Sequence, residues 1–419
     1  MSGRIQAPRG TYDVLPEQAA ARAVLERRAR EILETAGYER IETPTFEATE
    51  LFSRGVGAST DIVQKEMYSF QSGDRSYTLR PEGTAPVCRA YVEHGMHKLP
   101  APVKLWYLSS FFRHERAQSG RYRQFWQVGV EALGSADPAL DAESIVLLHT
   151  LLDELGTRDL RLRLASLGDP ASRSAYRGLL QDYLRAHLDR LSAEVRERIE
   201  LNPLRAFDSD DLSTREVMAG APRLLDHLGA DDAAHFAEVR ALLDAAEIAY
   251  EIDPTLVRGL DYYTRTLFEF TSAALGAQSG VAGGGRYDRL IEELGGPPTP
   301  GIGWAAGIER ILLAGGPLPA AAAPAVDVYV AALSEDGPAA RLAAFTLVRE
   351  ARLAGFSTEF ELAGRSRKGQ AKHAERLGAR YVAAVGATET GLRDREDGRE
   401  ERLENDAVVH ALLRDRQAL

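Results

Sequence analysis

The chain has 419 residues, a length that predicts two or three domains with cores large enough to fold without disulfide bonds. Its hydrophobic fraction of 44% and charged fraction of 27% are typical of a globular protein, and no apolar run reaches the roughly 18 residues of a membrane span. The net charge of −11 argues against a protein that coats nucleic acid nonspecifically, and the single cysteine, Cys88, excludes an internal disulfide.

The N-terminal residues, MSGRIQAPRG, lack the apolar region of a secretory signal. We therefore expect a cytoplasmic protein with no membrane contact. Cys88 lies in a helical pattern and is interpreted as a core residue rather than a nucleophile. Because histidines and cysteines are not paired at ligand spacing, no metal is expected to be bound by protein groups alone.

The first predicted elements are a helix and a strand. Pro16 opens a stretch in which apolar residues recur at helical spacing as far as Ala36, and Gly37 supplies a stop signal. The segment 38–47, YERIETPTFE, alternates like a strand and is broken by Pro44, which belongs at an edge or an end. Further strands are predicted at 76–80, 103–112, 123–132 and 265–271. Hairpin-sized gaps between several of them favour an antiparallel sheet.

Changes in composition predict the domain boundaries. Helical spacing of Ala, Leu, Arg and Glu replaces the strand patterns in the middle of the chain, and a later run of Gly, Pro and Ala is typical of a linker. Strand and helix patterns alternate beyond that linker, as in a small α/β domain. We predict a catalytic domain at 1–167 and 249–315, a helical insertion at 168–248, a linker at 316–325 and a C-terminal domain at 326–419.

The arginine-rich segment 111–131 predicts two strands joined by a basic turn. Arginine forks bind phosphate oxygens, and Phe125 or Trp126 supplies a flat apolar face for a purine, so the segment indicates a nucleoside triphosphate site. A solvated loop is the alternative reading. The arginines around the turn are Arg113, Arg116, Arg121 and Arg123.

The segment LVRGLDYYT, at 256–264, has unusual polar density in an apolar run. Each polar group buried without a partner costs roughly 2 to 7 kcal/mol, so Arg258 and Tyr263 are expected to line a pocket rather than fill a core. Farther on, GGGRYD at 283–288 is read as a glycine-lined pocket wall or as a turn. In GIGWAAGIER the glycine spacing does not match a dinucleotide fingerprint, but Arg310 can reach a terminal phosphate.

Carboxylates and an amide complete the candidate site. Glu82 and Thr84 follow a predicted strand, and Gln127 and Glu131 share one face of another by the period of two. A carboxylate such as Glu82 suits an ammonium group, whereas Glu131 suits a ring N–H. These groups predict a pocket for a small zwitterion with a polar ring, and no serine, histidine and aspartate arrangement indicates hydrolysis.

Together these segments closely resemble the histidyl-tRNA synthetases, which are class II aminoacyl-tRNA synthetases, over essentially the whole chain. YERIETPTFE is similar to motif 1, FRHERAQSGRYRQFWQ to motif 2 and GIGWAAGIERI to motif 3. LVRGLDYYT and GGGRYD are similar to the two segments particular to histidine enzymes, and with RPEGT and FRHER they form a specific set.

The resemblance implies an α+β catalytic domain, in which helices flank an antiparallel sheet, with a helical insertion and a small α/β anticodon-binding domain. It implies a homodimer built through motif 1, with histidine, ATP carrying Mg²⁺, and the cognate histidine tRNA as partners. The reaction would join histidine to tRNA through a histidyl-adenylate.

The resemblance also assigns site residues. Arg113 would hold the α-phosphate, Glu115 the adenine amino group, Phe125 the adenine face, Arg121 the pyrophosphate and Arg310 the γ-phosphate. Glu82, Thr84 and Gln127 would take the amino group of histidine, and Glu131 and Tyr263 its imidazole, with Tyr262 and Tyr287 nearby. Arg258 would lie between the substrate carboxylate and the α-phosphate, so that Arg258 and Arg113 would be the catalytic pair.

One other reading of the whole chain stays open, and so does the role of a basic segment near its end. A regulatory subunit of ATP phosphoribosyltransferase resembles the catalytic core of these synthetases without their activity, but such proteins generally lack the C-terminal domain. In that domain six basic residues fall within positions 365–380, and they would either contact tRNA phosphates or form a solvated helix face. They are Arg365, Arg367, Lys368, Lys372, Arg376 and Arg380.

Overall fold

The computed structural model describes residues 4–57, 60–116, 118–256, 258–276, 279–316 and 326–417, without the side chains of Asp208, Ser334 and Gln417. The chain divides into two compact units between residues 318 and 319. The helical segment predicted at 168–248 lies within the first unit. Most of the predicted linker, at 317–325, lies outside the described residues.

A large mixed sheet forms the centre of the first unit. Among the described residues, eight strands follow the order β1-β5-β6-β11-β10-β9-β7-β8, antiparallel except for the parallel pairs β1–β5 and β7–β8 at its two edges. A smaller sheet has the order β2-β4-β3. The strands are β1 (Glu39–Arg40), β2 (Phe46–Ala48), β3 (Tyr68–Ser72), β4 (Arg75–Leu79), β5 (Val103–Phe112), β6 (Gln124–Leu133), β7 (Leu160–Ser166), β8 (Glu251–Ile252), β9 (Thr264–Ser272), β10 (Gly280–Arg286) and β11 (Gly301–Gly307).

In the first unit, sequence signals mark both ends of α1 and the start of α4. Pro16 is the first helical residue of α1, Gly37 follows that helix at φ +81°, and Asp137 caps α4 through Ala139 N at 2.9 Å. No helix in the described part of the chain is long and apolar enough to cross a membrane. The helices are α1 (Pro16–Thr35), α2 (Thr49–Phe52), α3 (Thr84–Glu93), α4 (Pro138–Glu154), α5 (Pro170–Arg185), α6 (Ala193–Arg198), α7 (Leu212–Ala219), α8 (Ala230–Ala245), α9 (Leu290–Glu293) and α10 (Ile308–Gly315).

The large sheet is buried on both faces, because successive residues of β5 belong to hydrophobic clusters on opposite faces of the sheet. Trp106 belongs to one hydrophobic cluster, together with residues of α1, α4, α8 and α10. Tyr107 belongs to a second cluster on the opposite face, together with residues of α3 and α5 and the segment 260–263. We call these the helix face and the pocket face. Cys88 is a buried free thiol in the second cluster, as expected for a core residue.

The strands predicted at 103–112, 123–132 and 265–271 correspond to β5, β6 and β9. The strand pattern at 38–47, predicted to be broken by Pro44, forms two short strands, β1 and β2, in different sheets. Pro44 lies between the two strands, and the buried Arg80 donates to the carbonyl of Thr43 at 2.7 Å, fixing the backbone where it leaves the large sheet.

The second unit is a five-stranded α/β fold of order β13-β12-β14-β15-β16, parallel around β12 and antiparallel beyond β14. In the basic segment, Arg365 is paired with Glu361 at 3.1 Å and Arg380 with Asp394 at 3.2 Å. The helices and strands of the second unit, within residues 326–417, are β12 (Val328–Ala332), α11 (Gly337–Leu353), β13 (Thr358–Phe360), α12 (Arg367–Arg376), β14 (Tyr381–Val385), β15 (Glu389–Asp394), β16 (Glu400–Glu404) and α13 (Val408–Gln417).

Candidate active site

A cavity of about 400 Å³ opens beside β6, β10 and the start of α10 in the first unit. Its volume is in the range of small-molecule sites. Seven residues singled out in the sequence line this cavity, although they come from three separate parts of the chain. They are Arg113, Glu115, Arg121, Phe125, Gln127, Arg258 and Arg310.

Arg113 is fixed at the end of β5 by two contacts. Its Nε donates to the carbonyl of Pro81 at 2.9 Å, and its guanidinium carbon lies 5.2 Å from the centroid of the Phe125 ring. The backbone contact and the stacking together orient this permanent cation, which also forms a long ion pair with Glu115 at 3.8 Å. Arg113 is thus held at the wall of the cavity.

The arginines Arg113, Arg121 and Arg310 line the cavity, and the carboxylate of Glu115 lies beside two of them. The carboxylate of Glu115 lies 3.8 Å from Arg113 Nη1 and 3.3 Å from Arg121 Nη1. Arg310 donates through Nε to the carbonyl of Gly280. Burial, and then repulsion from Arg121, lowers the pKa of Arg310 below its ordinary value. A ligand with several phosphate oxygens would relieve that repulsion.

Arg258 reaches the cavity from the segment before β9. Its Nη1 lies 2.6 Å from Glu269 Oε1, while the second oxygen of Glu269 is 3.0 Å from Arg163. A Cβ on Gly283 would come within 2.8 Å of the Arg258 guanidinium, so the glycine leaves the space that this side chain needs. Glu269 was missed by the sequence reasoning, although a carboxylate inside the apolar strand pattern 265–271 was a signal.

Glu131 is the centre of a buried polar cluster on the pocket face. It is 0% exposed, and its carboxylate accepts hydrogen bonds from Thr84 Oγ1 at 2.8 Å, from Tyr107 at 3.4 Å and from Tyr287. Burial is the largest influence and raises the pKa of Glu131 from its ordinary 4.5 to about 8. A Cβ on Gly303 would lie 2.0 Å from Glu131 Oε2, so this neighbouring strand position requires glycine.

The other predicted carboxylate, Glu82, lies beside Glu131 and is also buried. It accepts hydrogen bonds from the backbone N–H of Thr84 at 2.8 Å and of the next residue at 3.0 Å, and from Tyr262 at 3.4 Å. The Tyr262 ring centroid is 4.8 Å from that of Tyr263 and 5.7 Å from that of Tyr287. The structure therefore brings these carboxylates and tyrosines into one cluster.

Gln127 connects this cluster to the cavity. It shares one face of β6 with Gly129 and Glu131 by the period of two, as the sequence predicts. Its Oε1 is buried, and within the described residues it has no hydrogen-bond partner. Because a buried acceptor without a donor is costly, Gln127 is prepared to bind a ligand N–H.

Glu309 joins the N-terminal segment to this part of the fold and was read in the sequence merely as a residue of α10. Its Oε1 is 2.7 Å from Arg22 and accepts from Tyr12 at 2.8 Å, while its Oε2 accepts from the backbone of Trp126 at 3.1 Å. Its carboxylate is thus occupied by the protein. Among the residues described, no three His, Cys, Asp or Glu side chains are grouped to hold a metal ion.

Two family models match the chain. The model described as histidyl-tRNA synthetase matches residues 10–311, and the model described as anticodon binding domain matches residues 327–415. The histidine–tRNA ligase of Thermosynechococcus vestitus is 51% identical over 388 residues, which cover 92% of this chain and 90% of the relative. These matches include both units of the fold.

Solved structures give the same picture. The apo histidyl-tRNA synthetase of S. aureus superposes with a TM-score of 0.79 at 35% identity, covering 97% of this chain and 99% of the other. A Bacillus halodurans C structure described as ATP phosphoribosyltransferase regulatory subunit/histidyl-tRNA synthetase gives 0.64 at 23% identity, covering 89% and 97%. At that identity the second likeness extends to the fold alone.

The raised pKa of Glu131 predicts a dependence of stability on pH. Between its ordinary value of 4.5 and about 8 the folded protein holds a proton that the unfolded chain releases, so this contribution is present at acidic pH and is lost as pH rises through that window. We expect thermal melts between pH 5 and pH 8 to show a loss of roughly a few kcal/mol that the Glu131→Gln variant does not share.

The matched control is Glu238→Gln, which removes an exposed carboxyl on α8 and leaves the buried cluster intact. Its unfolding curve should follow that of the wild type at each pH. Parallel pH profiles for the wild type and Glu131→Gln would contradict the protonation of Glu131 in the folded protein.

Proposed function

Because the chain belongs to the histidyl-tRNA synthetase family, it attaches histidine to tRNA with ATP as a substrate, and we propose that the cavity and the Glu131 cluster are its active site. The observation that carries this proposal is the free buried acceptor of Gln127, which lies between a polar pocket and an arginine-lined cavity. A zwitterion in the pocket would present its carboxylate to the arginines. The regulatory-subunit reading has no better support.

The Glu131 cluster is proposed to bind histidine. The α-ammonium group donates to Gln127, Glu82 and Thr84, and the imidazole meets Glu131 and Tyr263. The free acceptor of Gln127 and the complete burial of Glu131 support this arrangement. An apolar amino acid of similar size would leave those groups without partners, so rejection by roughly 10⁴-fold needs no editing step.

The arginine-lined cavity is proposed to bind ATP. The adenine stacks on Phe125 and donates its amino group to Glu115, and the α-phosphate meets Arg113. The outer phosphates meet Arg121 and Arg310, where the crowding of positive charge supports a polyanion site.

Mg²⁺ is proposed to enter with the triphosphate rather than to occupy a site made by the protein. Magnesium commonly binds substrate phosphates with one or two carboxylates, so a protein cage is not needed. When bound, the ion neutralises charge on the outer phosphates and helps pyrophosphate to leave.

The first chemical step brings two anions together, the histidine carboxylate and the α-phosphate. Arg258 and Arg113 approach the cavity from separate segments and would hold one anion each, offsetting their repulsion and stabilising the charge that develops on the phosphoryl oxygens. The reaction then needs no enzyme nucleophile, because the substrate carboxylate attacks the phosphorus directly. In the second step the terminal ribose hydroxyl of tRNA attacks the adenylate.

The match of residues 327–415 to an anticodon binding domain supports tRNA as a partner of this chain. We propose a cytoplasmic location, which is consistent with the buried free thiol of Cys88 and would be checked by cell fractionation.

The test of the proposed activity is exchange of labelled pyrophosphate into ATP without tRNA, run separately with each of the twenty amino acids. We expect exchange with histidine and none with the others, and we expect chelation of Mg²⁺ to abolish it. This assay isolates adenylation from transfer. Folded protein that binds ATP but gives no exchange with histidine would favour the regulatory-subunit reading.

A second prediction concerns Arg258. The Arg258→Ala variant should lower kcat of exchange by about 10²-fold or more, with modest changes in KM, because the cation would act mainly in the transition state. Arg163→Ala is the matched control, since Arg163 binds the same Glu269 but does not line the cavity. An unchanged kcat in Arg258→Ala, or equal losses in both variants, would remove Arg258 from the catalytic role.

The homodimer is proposed to form through motif 1 and the small sheet, whose strand β2 begins within that motif at Phe46. That sheet exposes an aromatic cluster in which Phe46 is 50% and Phe70 43% exposed, with ring centroids 5.9 Å apart. Light scattering should give twice the chain mass for the wild type and a shift towards monomer for Phe70→Glu. The control Leu212→Glu places the same charge at an exposed site on α7 and should stay dimeric. A monomeric wild type would refute the proposal.

A further inference from the structure

The regular pairing of β9 with β10 is interrupted next to the tyrosines of the proposed histidine site. Tyr262 and Tyr263 directly precede β9, and Tyr287 directly follows β10. Gly285 of β10 pairs with Leu267 of β9, but the next residue, Arg286, pairs with Thr264. A regular antiparallel step would reach Thr266, so residues 265–266 form a bulge in β9. The pairing is interrupted only toward β10, because on the other side of β9 Thr266 still pairs with Ser166, and Arg265 bonds to the backbone of Leu167 and Gly168.

Arg265, in the bulge, has the left-handed φ of +45°, which is sterically disfavoured for a residue with a Cβ. Its Nε lies 3.0 Å from Asp232 Oδ1 on α8, and Asp232 is 3% exposed. The second oxygen of Asp232 accepts from the backbone of Asp169 at 2.7 Å. A buried carboxylate of α8 thus holds the side chain of the strained residue.

The second residue of the bulge, Thr266, is held by a buried ionic cluster. Asp141 of α4 accepts from Thr266 Oγ1 at 2.6 Å and from His235 Nε2 of α8 at 2.8 Å. It also binds Arg286 through both carboxylate oxygens, at 2.6 and 3.0 Å. Asp141 and Arg286 are both 0% exposed. The cluster therefore fixes the end of β10 as well as the bulge in β9.

This cluster lies opposite the histidine pocket across the sheet. Arg286 binds Asp141 of α4, whereas its neighbour Tyr287 belongs to the cluster of the pocket face and donates to Glu131. The bulge likewise directly follows the segment that carries Tyr262 and Tyr263. Tyr287, Tyr262 and Tyr263 are thus attached to strand positions that the helices hold from behind.

We propose that Asp232 and His235 of α8 are positioning residues that set the affinity of the enzyme for histidine. They are three residues apart and therefore lie on the same face of the helix. Through Arg265, Thr266 and Asp141 they hold the bulge so that the tyrosines converge on Glu131. The inference rests on the proposed histidine site, but it concerns residues that do not touch the substrate.

The test compares Asp232→Asn with Asp231→Asn, its exposed neighbour on α8. In pyrophosphate exchange we expect Asp232→Asn to raise KM for histidine about tenfold and to leave KM for ATP within about twofold, since one charged hydrogen-bonded contact is lost. Asp231→Asn should match the wild type in both constants. KM does not depend on the folded fraction, so partial unfolding would lower the rate without producing this split.

His235 supplies a second pair of variants. His235→Leu removes the donor to Asp141 and should raise KM for histidine about tenfold, whereas His235→Gln keeps an N–H and should stay near the wild type. An unchanged KM for histidine in both Asp232→Asn and His235→Leu would overturn the inference, even with lowered melting temperatures. Failure of the proposed function is a separate outcome, in which the wild-type protein would show no exchange with histidine. Calorimetry of histidine binding to the same variants distinguishes that failure from failure of the present inference.

Discussion

The buried carboxyl group of Glu131 is the constraint on which the surrounding structure depends. A carboxyl group removed from water needs hydrogen-bond donors, and here Thr84, Tyr107 and Tyr287 supply them from three parts of the chain. Room for it comes from the neighbouring strand, where Gly303 lacks the Cβ that would overlap it. Changing the direction of any of these elements would leave a buried polar group unsatisfied, so the pocket is coupled to the packing of the whole sheet.

The arginines beside this cluster follow a different physical rule. Arg113 and Arg310 each donate through Nε to a backbone carbonyl, a neutral acceptor that orients the guanidinium, and Arg113 also lies 3.8 Å from Glu115. Arg258 is instead held by Glu269, whose second oxygen is shared with Arg163. A carboxylate that two arginines share neutralises each of them incompletely. Thus the site keeps positive charge in place before an anionic ligand arrives, which is what electrostatic preorganisation requires.

The sequence predicted the parts of the fold whose signal is local. Alternation over ten residues located β5 and β6, and polar residues in apolar runs indicated Arg258 and Glu131. The sequence indicated the break at Pro44 in the segment 38–47, but it did not show that the two parts join different sheets, because that division depends on tertiary contacts such as those of Arg80. The bulge in β9 had no local signal, since the extra residues are defined by a pairing with β10 that the sequence does not reveal.

The ionic cluster behind the pocket is better explained by the orientation that it gives to the end of β10 than by a contribution to the stability of the fold. A buried ion pair seldom stabilises a fold more than apolar side chains of the same volume, because desolvation offsets the attraction. The guanidinium of Arg286, however, donates to Asp141, to Asp288 and to the carbonyls of Ser135 and Asp137. Four hydrogen bonds from one rigid plane to fixed partners specify an orientation, which apolar packing does not. At a strand end next to a tyrosine whose hydroxyl must reach Glu131, orientation is the property that matters.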